Sequence, residues 1–146
     1  MTQKKNQLIP SGYTYVGHFH TATANSIGLP GGDIYISRNY IVHIKKGHAK
    51  QLEQLGFSVL GYVKSIFRCY NRIYGESPHA EAGRQSFLFV VYNPELSHVA
   101  AIQINHAHQK GFWEVHTAHP VSINTLRHRP LLYEKKNAET ASFYMP

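Results

Sequence analysis

Cysteine is nearly missing from this chain. Cys69 is the single one among 146 residues, so no intrachain disulfide can form. Its place inside an apolar, helix-spaced run predicts a structural thiol rather than a reactive one. Acidic residues are also scarce: eight stand against fifteen lysines and arginines, for a formal charge of +7. That imbalance favours a polyanionic partner, most often nucleic acid. Long hydrophobic runs are missing too, which excludes a bilayer-spanning helix as an expectation. Lys4 and Lys5 give a basic start, but Leu8-Ile9 runs straight into Pro10, so the apolar middle of a secretory signal is lacking. The expected location is the cytoplasm, of the producing cell or of a target cell, with no membrane association.

What remains is a chain of 42% hydrophobic residues, long enough for one domain with its own core. Residues 1–12 read as a polar, mobile lead-in, 13–135 as the domain and 136–146 as a tail. No repeat, low-complexity tract or linker divides it. Eleven histidines are scattered along it rather than gathered in one motif.

The densest chemistry lies in Ser37–His48, S-R-N-Y-I-V-H-I-K-K-G-H. Asp33 to Ile36 reads as a short strand, and Ser37 is a good N-cap, its hydroxyl placed to accept from an orphan N–H of the first turn. Ile36 and Ile41 are spaced as a hydrophobic staple. Ile41, Ile44, His48, Leu52 and Leu55 recur at helical spacing, Gly47 interrupts the helix at modest cost, and Gly56 is placed to end it. His48 therefore sits in the apolar stripe, while His43 and Lys46 share a neighbouring flank. A second helix begins at the cap Ser58, with Val59, Tyr62, Ile66, Tyr70 and Ile73 as its buried stripe and Gly75 as its end.

Tyr13 to His20 is a short strand candidate, and Thr21 to Leu29 is compatible with helix. After a polar loop at 76–85 the pattern changes to strands: Ser86 to Tyr92, Ser97 to Ile104, Phe112 to His119 and Leu131 to Glu134. A polar connection from Asn105 to Gly111 separates the second from the third. The expected fold class is α+β, with N-terminal helices packed on a C-terminal antiparallel sheet of about four strands.

The run I-G-L-P-G-G-D-I-Y-I-S-R-N-Y-I-V-H-I-K-K-G-H resembles the phage-associated branch of the barnase, EndoU, colicin and RelE-like ribonuclease superfamily. The pieces that carry the likeness are Ser37, His43, Lys46 and His48, then Trp113-Glu114-Val115-His116-Thr117, within roughly Ser26 to Lys135. The resemblance implies a barnase- or RelE-like fold and metal-independent endoribonuclease chemistry without a cofactor, on RNA, with tRNA as one candidate substrate. It also implies a toxin-like role, with an antitoxin or immunity protein as partner; an acidic one would suit the basic surface.

Such chemistry removes a proton from a ribose 2′-hydroxyl, returns one to the leaving 5′-oxygen and stabilises charge on the phosphorane. Histidine suits the proton transfers and lysine or arginine the phosphate. The resemblance thus casts His43 or His48 as general acid or base, Lys46 as the phosphorane's cation and Thr117 as a donor to a phosphate oxygen. His116 is a reserve proton carrier, and Arg38, Arg127 and Arg129 are guides for the RNA backbone. Alternation on a strand sends His116 and Thr117 to opposite faces unless a bulge intervenes. Each residue also has a plainer reading: His48 as a half-buried helix position, Lys46 as a solvated one, Thr117 as a β-former.

Two rival classes fit parts of the pattern. His18-Phe19-His20 and His106-Ala107-His108 are His-x-His pairs, and with Asp33 they suggest a zinc-dependent hydrolase. Pro30 stands where such isopeptidase motifs need a serine. A nucleic-acid-binding module without catalysis would share the basic charge and the tyrosines.

Overall fold

The computed structural model describes residues 9–76, 86–107 and 111–135. In chain order these hold β1 (Tyr13–Phe19), α1 (Thr21–Ser26), β2 (Gly32–Ser37), α2 (Arg38–Gln54), α3 (Val59–Cys69) and β3 (Arg72–Tyr74). Then follow β4 (Ser86–Val91), β5 (His98–Ala107), β6 (Phe112–Ala118), β7 (Val121–Ser122), α4 (Ile123–Leu126) and β8 (Leu131–Glu134). The first eight residues of the lead-in, most of the polar loop (77–85), positions 108–110 of the second connection and the tail from 136 lie outside the described residues.

The long helices start where capping chemistry places them. Ser37 Oγ accepts from the Tyr40 N–H at 3.1 Å, and Ser58 Oγ from the Gly61 N–H at 3.0 Å. Each cap satisfies one donor that the helix cannot, and its loss typically costs about 1 kcal/mol. At the far end of α2, Gly56 takes φ 82°. The Gly56 N–H then donates to Glu53 and the Phe57 N–H to Leu52, a Schellman closure that needs a left-handed residue at this point.

The expected four-stranded antiparallel sheet is not what forms. The protein is a mixed α/β fold with more strand than helix. Seven strands hydrogen-bond in the order β1-β2-β6-β5-β4-β3-β8, and β7 attaches to β5. Two physical reasons account for the difference. First, β1 and β2, which precede the long helices, are not a separate hairpin: β2 runs parallel to β6, with Ile34 opposite Trp113 and Tyr35 opposite Glu114. Ile34, Ile36, Phe19 and Trp113 thereby share one apolar face and are all essentially fully buried. Second, the helical stripe expected to continue through Ile73 breaks after Cys69. Asn71 accepts from the Tyr92 N–H at 2.7 Å and donates to the Tyr92 carbonyl at 3.1 Å. That side chain draws the backbone alongside β4, where Ile73 pairs with Phe89 as β3. Isoleucine fits either period, and tertiary pairing decides.

Helices α2 and α3 cover one face of the sheet. The core beneath them holds Ile44, Leu52, Tyr62, Val63, Ile66, Phe89, Ile102, Ile104, Trp113 and Val115. Burying side chains of this kind contributes about 1.5–3 kcal/mol each. The opposite face carries a smaller cluster, Leu88, Val90, Val99 and Ala101, under Leu126 of α4. Toward β1 and β2 this second face bears Tyr13, Tyr15 and Tyr35. Among the described residues no helix is long and apolar enough to cross a membrane.

Candidate functional site

Three residues of α2 at four-residue spacing, Tyr40, Ile44 and His48, turn toward the end of β6. Ile44 is fully buried. Tyr40 stacks on His116, centroids 4.8 Å apart and planes 21° from parallel. His48 stacks on His119, at 4.0 Å and 19°. Eight residues along a helix rise about 12 Å. Three along a strand rise about 10 Å. The two ring pairs therefore stand side by side along one helix–strand seam.

A bulge separates them. β5 pairs Gln103 with Thr117 but Ile104 with Val115, so His116 is an extra residue in β6. Its ring lies on the helix side against Tyr40. Thr117 points the other way, level with Gln103, away from His43 and Lys46. His119 follows the end of β6, its N–H donating to the Ala101 carbonyl at 3.2 Å. The Ala101 N–H in turn donates to the buried Tyr62 hydroxyl at 3.0 Å, which ties this point of β5 to α3.

Beside His119 lies a cavity of about 200 Å³, lined by Thr117, Gln103, Thr125, Arg129, Leu88 and Val121, with His119 in its wall. Arg129 donates from Nη1 to the Gly75 carbonyl at 3.0 Å. Burial lowers its guanidinium from the ordinary value, against the opposing pull of Glu76. Gln103 donates to Ser86 Oγ at 2.6 Å. His119 Nδ1 meets the Pro120 carbonyl at 2.8 Å, so it carries the proton and Nε2 is the basic nitrogen. Burial holds this imidazole below the usual histidine range; the Pro120 hydrogen bond acts in the opposite sense, and His48 depresses it further. His48 Nδ1 is matched with Gln51 Oε1 at 3.1 Å, which again makes Nε2 the outward atom.

Of the residues singled out in the sequence, His48, Thr117 and Arg129 thus come together around His119. His43 is exposed and meets Tyr40 edge-on at 6.3 Å, so with His116 it belongs to the neighbouring ring pair. Lys46 is exposed on α2. Arg38, also exposed, opens α2 with its N–H on the Gly12 carbonyl, and Arg127 is an exposed cap of α4. Sequence reasoning missed Tyr40, Gln103, Thr125 and His119. Tyr40 had a signal, since it precedes Ile44 and His48 by whole four-residue steps. His119 had a weaker one, a histidine before proline at a strand end.

The His-x-His pairs do not converge. His18 pairs with Asp33 at 2.9 Å, His20 is exposed, and His106 packs on Trp113 at 4.6 Å. His108 lies outside the described residues. Among the described residues no three histidine, cysteine or acidic side chains gather as metal ligands would. Comparison with protein families, curated proteins and solved structures finds no match to this chain.

Proposed function

We propose that the chain is a metal-independent endoribonuclease whose proton-transfer groups are His48 and His119. The observation that carries this reading is the ring stack between them, with His119 also forming a wall of the cavity that holds Thr117 and Arg129. His119, kept neutral by burial, takes the 2′-hydroxyl proton at Nε2 as the O2′–P bond forms. His48 gives a proton from Nε2 to the 5′-oxygen as the P–O5′ bond breaks. The products are a 2′,3′-cyclic phosphate and a free 5′-hydroxyl. Arg129 and Thr117 supply charge and a donor for the non-bridging oxygens, in a half-buried setting where such groups act strongly.

A toxin-like role in the cytoplasm of the producing or a target cell, restrained by an acidic antitoxin or immunity protein, belongs to the same proposal. The charge of +7 supports both an RNA substrate and an acidic partner. The test is incubation of total RNA and of tRNA with the protein in excess EDTA, beside His48→Ala and His119→Ala variants, with the product ends analysed. Cyclic-phosphate ends that disappear in both variants support the reading. Cleavage abolished by EDTA, or untouched by both substitutions, sinks it. Salt-sensitive binding without cleavage assigns the chain to the non-catalytic class.

A further inference from the structure

The sheet face that carries the cavity continues past β6 onto β2 and β1, and there it is aromatic. Tyr15 stands directly opposite Tyr35, and Tyr13 opposite Ser37. Tyr35 and Phe112 meet edge to face at 4.9 Å, Tyr13 and Phe112 at 5.4 Å, Tyr15 and Tyr35 at 5.7 Å. The register fixes the side: Ile34 and Ile36 of β2 point into the helix-side core, so Tyr35 points out, and its neighbour Glu114 is paired with Asn105 two residues from Gln103 of the cavity. Phe112 and Thr117 are five residues apart on β6, roughly 16 Å along a strand. Tyr15 keeps 42% of its surface exposed, unusual for a ring that helps to fill a cluster.

We infer that these rings form a stacking platform for the bases of single-stranded RNA that flank the bond cut at His119. This rests on the proposal that the chain takes RNA. Stacking needs exposed π-faces at about one strand's distance from the phosphate-handling groups, and it needs unpaired bases, so it names the substrate class as single-stranded or loop RNA rather than duplex. The two carboxylates of this face are already engaged: Asp33 with His18 at 2.9 Å and Glu114 with the Tyr13 hydroxyl. Arg38, at the end of β2 beside the turn that leads into Tyr13, supplies a cation at the border.

The experiment uses the His119→Ala chain, in which the proposed mechanism slows cleavage, so that binding is read with little turnover. A labelled single-stranded RNA octamer and its duplex form are titrated by fluorescence anisotropy at several salt concentrations. Tyr15→Ala and Tyr35→Leu are expected to weaken octamer binding about 5- to 150-fold with an unchanged salt slope, whereas Tyr15→Phe retains it. Arg129→Gln is expected to reduce the salt slope by about one. Thermal midpoints identify a folding defect, and Tyr15→Leu repeats the measurement if Tyr15→Ala unfolds. Equal affinity in the ring-deleted variants, equal affinity for the duplex, or no octamer binding at low salt overturns the inference. Ring-dependent binding by a chain whose wild type cuts no RNA leaves the platform standing and removes the catalytic reading. Cleavage without ring dependence does the reverse.

Discussion

His48 and His119 lie ring on ring, 4.0 Å between centroids and 19° from parallel, joining a helix to the end of a strand. Both commit Nδ1 to a neighbour, Gln51 in one case and Pro120 in the other, and both leave Nε2 for proton transfer. In the proposed mechanism the two act as a unit, so His48→Ala and His119→Ala should each lower the cleavage rate about 10²- to 10⁴-fold. The double variant should fall little further than the worse single one. His43→Ala, which alters only the exposed edge contact with Tyr40, should stay within a few-fold of wild type. Single-turnover cleavage of one defined RNA measures the four variants beside wild type. Additive losses in the double variant would show that the two rings serve separate steps.

His119 makes stability depend on pH in a definite direction. Burial depresses the His119 imidazole below its unfolded value. Above the unfolded value of about 6.5, both states carry the neutral ring and this site adds no slope. As pH falls below it, the unfolded chain binds the proton first, and folded stability drops until the folded imidazole also titrates. Urea midpoints of wild type should therefore decline between neutral and mildly acidic pH. His119→Phe, which keeps a flat ring on His48, should show a shallower decline over the same window. An identical decline in both proteins would place the sensitivity elsewhere.

Local chemistry was legible in the sequence, and pairing across the chain was not. Ser37 and Ser58 announce their helices because a cap acts within one turn, and Gly56 announces the end of α2 for the same reason. Nothing local says that β2 will lie parallel to β6, seventy-odd residues later, so the sheet was read as half its size. Ile73 fits a helix or a strand equally, and Asn71 decides between them only through Tyr92. The site suffers from the same limit. His48, Thr117 and Arg129 could be picked out by residue type, but what gathers them is His119. A bulge of one residue at His116 sets which way Thr117 and His119 face. Thr117 consequently looks into the cavity rather than toward His43 and Lys46.

Two glycines test the backbone of the frame around the site in opposite senses. Gly47 lies within α2, and a Cβ there would meet nothing within 4 Å. Gly47→Ala should stabilise the protein by about 0.8–1 kcal/mol through helix propensity. Cleavage should persist, because α2 is already continuous past His48. At Gly31 a Cβ would sit 2.8 Å from the Phe19 carbonyl oxygen and from the Thr21 Cα. Both are backbone, so Gly31→Ala must separate the end of β1 from the turn into β2 and should destabilise by about 1–3 kcal/mol. Denaturant midpoints of the two variants should move in opposite directions.

Tyr62 offers the most direct way to loosen the site without touching it. Its hydroxyl, fully buried in α3, accepts the Ala101 N–H at 3.0 Å, while the Ala101 carbonyl accepts from His119 on the other side. Tyr62→Phe preserves the ring and its contact with Phe57, 5.8 Å between centroids, and removes the acceptor of the Ala101 N–H. The stranded N–H belongs to a buried residue at the point where β6 gives way to β7. The expected cost is about 1–3 kcal/mol. Amide exchange at Ala101 and His119 should quicken more than exchange in the middle of β4, because the break is local to this corner. Cleavage should fall with it, and at low temperature, where the fold is fully populated, the fall should persist if Tyr62 positions His119. Recovery of the full wild-type rate under those conditions would reduce Tyr62 to a stabilising core residue.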